Sequence, residues 1–499
     1  MISLAVAVTF SLKNAHYGHT PFFNSMGLMF EVHAVAAVFN TWHSFGDFAA
    51  QIAPSKAQAE QANAQAIPVL AYHRLALIPE AGQLALVRFM DQMETLYRAG
   101  WRTATLEEYE QFMRGERTLP ERTFLITFDD GAQQSYYPSD PIFRTLGYNA
   151  SEYVIVAGSE TPKSTYYLSP EQIHSMLATG RWEIGSHSFD AHHPYPTDAN
   201  GGTGIFYTDK LWLPAEGRLE TDDEFLKRVQ DDLARSREAL QAQYGVTVDT
   251  FAIPFGGETG HRAADNYPGG NNVTLNEASK LYNFVWLQTD RRSFTYNYPA
   301  YASPFGKRIH VDFDWSGDTL NTFMEGGLPK SLPYSDNFSV ESGWRSSWGN
   351  VQPVGSLELR ADPGDTSAGS VLDGSLLWNT YKAEATVNWS QGYALLMGAV
   401  QSALTYRSCS FSLNEVEIHE TSNGITTTLA KREVPMVEYG LGVKLGISVG
   451  KNSISCLYKD VLLLSATTSP NEGGVGIQTW AHEPGTANLI VTNFLANPL

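Results

Sequence analysis

Thr127-Phe128-Asp129-Asp130-Gly131 closes an apolar run, Phe124-Leu125-Ile126, so two adjacent aspartates stand where a buried strand ends and a loop begins. Neighbouring carboxylates at the C-terminal end of a strand can divide their work, one holding a metal and the other staying free as a base. The same string is also an ordinary turn signal, because Asp favours turns and Gly accepts positive φ. A second segment, RWEIGSHSFDAHHPY from Arg181 to Tyr195, weighs against the turn alone. Glu183 to Gly185 again read as a strand end opening into a loop, which carries His187, His192 and His193. Neutral imidazole is a common ligand of first-row metals, and two histidines plus one carboxylate leave coordination positions open. Beside the upstream Asp-Asp pair, a metal site is the better reading than a polar loop with surface histidines.

Working outward from these motifs, strands and helices alternate from Ile67 onward, the signature of a parallel sheet covered by helices. Phe89, Met93, Leu96 and Tyr97 recur at helical spacing before Gly100. After the strand Phe124 to Phe128 comes a helix-like PIFRTLG, then Tyr153 to Val156 as the next expected strand. Ser169 precedes PEQIHSML, a helix start with Pro at its first position. A longer helix is expected from a Thr221–Glu224 capping box to a stop at Gly245, burying Phe225, Leu226, Val229, Leu233 and Leu240. Between His193 and Asp222 lies a long stretch of little periodicity bearing Tyr195, Phe206, Tyr207 and Trp212. It reads either as a groove wall or lid, or as an incidental surface insertion.

TFDDG followed by the histidine pair resembles the first two motifs of the NodB-type polysaccharide deacetylases, carbohydrate esterase family four. IPVLAYHRL, Ile67 to Leu75, resembles the first barrel strand of the branch acting on poly-N-acetylglucosamine exopolysaccharides, and the five-residue histidine spacing is also that branch's. FAIPFGG, Phe251 to Gly257, resembles the third motif, whose Pro-aromatic-Gly turn, here Pro254 and Phe255, lines the substrate groove. The resemblance covers about Ile67 to Leu320. It implies a distorted (β/α) barrel with fewer than eight strands, and a metal-dependent hydrolase that removes N-acetyl groups from an amino-sugar polymer. It further implies that Asp130, His187 and His192 hold one divalent transition metal, zinc first, with cobalt, nickel, iron or manganese as alternatives. Asp129 would be the general base, and a backbone N–H at the Phe255 turn would help hold the oxyanion. Two departures stand out. Many members carry an arginine shortly before the Pro-aromatic-Gly turn that orients the base, and Phe251 to Ile253 offer none. The usual Leu-x-His that supplies a general acid is replaced by Arg308-Ile309-His310, which leaves His310 as one candidate acid.

Near Gly326 to Pro333 the chain changes character. Beyond it, LELRAD, YKAEATVNW, CSFSLNEVEIHE, LGVKLGISVG, SISCLYKDVLLLS, VGIQTW and LIVTNFL read as short strands between turns, an all-β sandwich. Their order resembles concanavalin-like jelly-roll modules, with carbohydrate binding or a structural appendage as the two roles open to it. Cys409 and Cys456, the two cysteines, fall on these strands and either pair in an oxidising compartment or stay free and buried. The expected organisation is thus a leader and linker over 1–66, a deacetylase barrel over 67–328 and a sandwich over 329–499.

The balance of the sequence excludes several classes. Hydrophobic content of 43% with 17% charged residues is that of a globular chain, not a disordered one. A formal charge of −19 argues against a nucleic-acid partner and suits a polymer that becomes cationic as amines are unmasked. Apolar stretches at Ile2 to Leu12 and Met26 to Phe39 both fall short of the ~18 apolar residues of a spanning helix, so no integral membrane span is expected. A secretory leader, irregular in form, is the expectation for the N-terminal segment, and it would place the protein outside the cell, in the periplasm or on the envelope. The expected partner is an acetylated polysaccharide. Rival readings are an O-acetyl esterase on xylan or another acetylated glycan, and a non-catalytic glycan-binding protein.

Overall fold

The computed structural model describes residues 62–77, 80–256, 266–289, 293–434 and 440–499. Both N-terminal apolar stretches, and Gly257 of FAIPFGG, lie outside the described residues. The chain divides into two compact units. The first runs through Thr289 and resumes over Asn297–Asn321; the second takes Thr322–Leu499 and a short segment ending at Tyr296.

Among the described residues, seven parallel strands form the closed barrel of the first unit: β1 (Val69–Tyr72), β2 (Thr123–Phe128), β3 (Ala150–Val154), β4 (Trp182–Ser186), β5 (Thr250–Ala252), β6 (Phe284–Thr289) and β7 (Phe305–His310). Around the ring the order is β1-β7-β6-β5-β4-β3-β2, and β1 pairs with β2 to close it. Every residue of β2 is buried, as expected of a strand covered on both sides. Inside, Tyr153, Trp286, Leu125, Val69 and Ala252 pack in one cluster. Gly185 is a glycine because a Cβ there would lie 2.2 Å from the Tyr153 ring. Tyr153 in turn donates its hydroxyl to Thr250 Oγ1 at 2.9 Å, which ties β3 to β5 across the barrel.

Helices cover the outside: α1 (Leu86–Arg98), α2 (Leu106–Met113), α3 (Gln133–Leu146), α4 (Pro170–Leu177), α5 (Asp222–Tyr244) and α6 (Gly270–Leu281). The expected capping box forms at Thr221, the helix start at Ser169 proves to carry one too, and left-handed Gly245 ends α5. Within α5, Phe225, Val229, Leu233 and Leu240 are buried, but Leu226 is not. It sits one position, about 100°, round the helix from Phe225, and Ser236 and Tyr244 fill out the stripe instead.

One strand boundary moves. The strand expected at Tyr153 to Val156 runs Ala150–Val154, and Val156–Ser159 forms a single helical turn. The amides of Val156 and Ala157 bond Ser188 O (3.2 Å) and Phe189 O (2.8 Å) in the loop after β4, so they leave the ladder and steady the histidine loop. The stretch after His193 is not structureless. It holds two small hairpins, Pro194–Pro196 with Thr203–Ile205 and Trp212–Leu213 with Arg218–Leu219.

Two antiparallel sheets make the second unit. One runs, in spatial order, Asn350–Gln352, Leu357–Arg360, Asn488–Pro498, Tyr381–Trp389, Gly440–Gly450, Ser453–Tyr458 and Val461–Thr467, with Tyr334–Asp336 also on Asn488–Pro498. The other runs Trp344–Trp348, Ser367–Leu372, Gly474–Trp480, Tyr393–Ser402, Thr405–Phe411, Glu415–Ser422 and Ile425–Glu433. Their inner faces share one core that includes Trp344, Trp389, Tyr381, Phe411 and Phe494. Cys409 and Cys456, fully buried on facing sheets, form a disulfide.

Candidate active site

The aspartate pair and the histidine loop meet at the C-terminal mouth of the barrel, where β2 and β4 end. Each chain turns there through a left-handed residue, Asp130 with φ 81° followed by Gly131, and Ser188 with φ 88° after His187. Non-glycine residues rarely adopt this conformation, and it persists where surrounding contacts fix it. The turn at Asp130 aims its carboxylate across the mouth. Its Oδ1 lies 3.6 Å from His187 Nε2 and 3.5 Å from His192 Nε2. One potential ligand atom from each of the three residues falls within 4.8 Å of the others.

Second contacts orient this trio. The Nδ1–H of His187 donates to Ala252 O at 2.7 Å, which leaves Nε2 with its lone pair facing Asp130. Burial drives the His187 imidazole down to about 4, so it is neutral, the form that ligates. Asp130 Oδ2 accepts from the Tyr166 hydroxyl at 3.0 Å, whereas Oδ1 is buried without a hydrogen-bond partner among the described residues. An orphaned buried carboxylate oxygen between two imidazole nitrogens fits a divalent cation. His192 is half-exposed and stacks on the Phe255 ring, centroids 4.5 Å apart. His193 does not join the set; it stacks on Tyr195 at 4.1 Å instead.

Asp129 has a different fate. Arg308 grips it through two parallel bonds, Nη1 to Oδ1 at 2.6 Å and Nη2 to Oδ2 at 2.7 Å. Both side chains are buried. Burial alone would raise the carboxyl, but the Arg308 charge, helped by His187, outweighs it and holds Asp129 well below the usual carboxylate range. No arginine precedes the Pro-aromatic-Gly turn, and the guanidinium that holds Asp129 comes from β7. Sequence reasoning had singled out Arg308-Ile309-His310 for its histidine and passed over the arginine. The segment's other member, His310, sits on β7 opposite Ala71 of β1, its ring edge-on to His73 at 5.6 Å. His73, near the end of IPVLAYHRL, thus also stands at the mouth. Glu152 was missed too. It is fully buried on β3 and accepts from Ser135 Oγ at 2.6 Å; burial pushes its carboxyl well up, and the charges of Asp129 and Asp130 add to the rise.

The Pro254–Gly256 turn reaches the same mouth, with Pro254 buried and Phe255 at φ 62° and exposed. Beside it opens a cavity of about 440 Å³ lined by His193, Pro194, Thr203, Gly204, Ile205, Phe255 and Gln288. One wall of this cavity comes from the first hairpin of the insertion.

Comparison with known proteins finds a matching family model and several relatives over part of the chain. Residues 116–266 match the polysaccharide deacetylase family model. A poly-β-1,6-N-acetyl-D-glucosamine N-deacetylase of Escherichia coli K12 is 22% identical over 252 residues, 46% of this chain and 37% of that protein. A Staphylococcus epidermidis protein of the same name is 28% identical over 182 residues, 33% of this chain and 61% of its own. The chain thus spans little more than a third of the length of the Escherichia coli relative. Among solved structures, a de-N-acetylase from Aggregatibacter actinomycetemcomitans aligns over 51% of this chain and 98% of its own, at 18% identity and TM-score 0.44.

Proposed function

We propose that this polysaccharide deacetylase domain removes N-acetyl groups from an amino-sugar polymer of the poly-N-acetylglucosamine type, with one divalent metal at Asp130, His187 and His192. The observation that carries the reading is the division of labour between the adjacent aspartates. Asp130 offers a buried, unpartnered oxygen to two oriented imidazoles, while Asp129 is kept off that centre by the Arg308 fork. When bound, the metal supplies Lewis acidity that polarises the acetyl carbonyl and eases deprotonation of a water. Asp129, ionised and fixed by two charge-assisted bonds, takes the proton from that water as general base. The leaving amine then needs a proton, and His73 and His310 are the imidazoles at the mouth that can hold one. Phe255 and the adjoining cavity receive the sugar bearing the acetyl group. Its ring offers a flat apolar face, and Gln288 offers hydrogen-bonding groups, a mixture that suits a pyranose.

Zinc is the metal we expect from a His₂-carboxylate set, and an extracellular, periplasmic or envelope location is in keeping with the Cys409–Cys456 disulfide. Among the described residues no helix is long and apolar enough to cross a membrane. Acetate release tests the function directly. Poly-β-1,6-N-acetylglucosamine oligomers should yield acetate, chelator should abolish it, and added zinc or cobalt should restore it. Faster release from acetylated xylan would overturn the substrate class, and turnover in metal-free protein would overturn the metal.

A further inference from the structure

In the second unit, a cluster of titratable and aromatic side chains lies on the outer face of the sheet containing Glu415–Ser422. Val416 and Ile418 enter the core between the sheets, so strand alternation sends Glu415, Glu417 and His419 to the opposite face. The ladder carries that face across the sheet. Glu417 lies opposite Ser410, Ser410 opposite Leu395, Leu395 opposite Gln478 and Gln478 opposite Gly369, while Lys431 flanks Glu417 on the other side. At about 4.8 Å per strand this row spans about 24 Å, room for several sugar units.

Aromatic rings stand along it. A Cβ on Gly369 would lie 2.4 Å from the Trp348 ring, so the glycine makes room for an indole laid across the outer face. One step along the strands, Tyr393 and Trp480 pair with centroids 4.7 Å apart, and the Tyr393 hydroxyl reaches Glu415 Oε1 at 3.5 Å. The face also holds orphaned polar atoms. Ser408 lies opposite His419 and is 1% exposed, yet among the described residues its Oγ has no hydrogen-bond partner, and the Trp348 Nε1 also lacks one. Buried polar groups are almost always satisfied, so unpaired donors here mark places for a ligand's hydroxyls or for water that a ligand displaces.

The charge on this face has a sign. Glu415, Glu417 and the cross-strand Glu433 outnumber Lys431. Lys431 Nζ lies 2.6 Å from Glu415 and 3.0 Å from Glu417, so the carboxylate pair already clasps one alkylammonium, held on a half-exposed side chain. We propose that this face binds a polymer of glucosamine bearing protonated amines, its rings resting on Trp348, Trp480 and Tyr393 and its ammonium groups at Glu415 and Glu417. The ligand's identity as reaction product rests on the deacetylase reading above; the chemistry of the face does not. N-acetylated residues carry no charge for the carboxylates, so the face separates deacetylated stretches from untouched ones. A tether of this kind holds the chain on polymer already in part converted and raises the local concentration of remaining acetyl groups.

Binding of the full-length protein to immobilised poly-β-1,6-glucosamine, its fully N-acetylated counterpart and dextran tests this. Retention should be at least tenfold stronger on the amine polymer than on the other two, and should weaken as salt is raised. The double variant Glu415→Gln, Glu417→Gln should lose tenfold or more of that affinity. Lys431→Met, which removes the internal competitor, should gain affinity. Both variants should release acetate from short soluble oligosaccharides at the rate of the unmodified protein. Undiminished binding by the double variant, or equal binding to the amine and acetylated polymers, would overturn the proposal. Amine-polymer binding that persists in a protein releasing no acetate would defeat the deacetylase reading alone. Acetate release without amine-polymer binding would defeat this face alone.

Discussion

At the scale of single residues, one peptide bond separates two carboxylates with unlike surroundings. Asp129 faces a buried guanidinium, and Asp130 faces two imidazoles. Asp129→Asn should therefore keep its metal while kcat falls by roughly 10²–10⁴, the usual worth of a general base. Asp130→Asn should lose metal, read by metal analysis of the purified protein, and the opposite pattern would mean the roles are exchanged. Arg308→Met leaves Asp129 buried without its counter-charge, so unfolding should become easier by about 3–5 kcal/mol, measured by denaturant titration. Arg308→Lys keeps the charge but not the planar fork, and should recover stability more than kcat. The two aspartates and the histidines His187 and His192 were legible as candidates because each pair is local in sequence and lies at a strand end. Arg308 was not, because its partner is 179 residues away and only the closure of β7 onto β1 brings them together.

At the scale of elements, local signals were read well where a cap or a period writes them and poorly where tertiary contact decides. The Thr221 box and Gly245 stop of α5 are written in adjacent residues, and both form as expected. Thr221→Ala should accordingly cost about 1 kcal/mol, seen as a lower midpoint of urea unfolding. The strands Ser367–Leu372 and Ile425–Glu433 were missed for opposite reasons. SAGSVL is too rich in small residues to show alternation, and ITTTLAKRE is an outer strand with no buried side to its pattern. Another contact that the sequence hides joins β4 to α2, where Glu183 Oε2 accepts the Leu106 N–H at 2.8 Å. Burial pushes this carboxyl up to about 7, above its ordinary value of 4.5. The folded protein then binds the proton more tightly than the unfolded chain. That contribution to stability is complete below pH 4.5 and is lost as pH rises through 7. Glu183→Gln, which keeps an acceptor for Leu106, should flatten this part of the thermal stability profile. An unchanged slope between pH 4.5 and 7 would show that Glu183 is solvated.

At the scale of the whole molecule, the two units have separate cores and separate stabilising devices. The barrel's cluster centres on Tyr153 and Trp286, and the sandwich's on Trp344, Trp389 and Phe494. A metal that binds only the folded barrel stabilises it by mass action, by about 2.7 kcal/mol when the free ion exceeds its dissociation constant a hundredfold. The disulfide acts on the other unit. It joins Cys409 to Cys456 across the sheets and closes a loop 47 residues long in sequence, for which loop-closure entropy gives about 4 kcal/mol. Calorimetry of the full chain should therefore resolve two transitions with different sensitivities. Chelator should lower one without moving the other, and Cys409→Ala with Cys456→Ala should lower the second without moving the first. Metal content and acetate release from short oligosaccharides should survive the double cysteine change. If both treatments instead shift a single transition, the units unfold as one cooperative body, and loss of the disulfide would then reach the active site through stability.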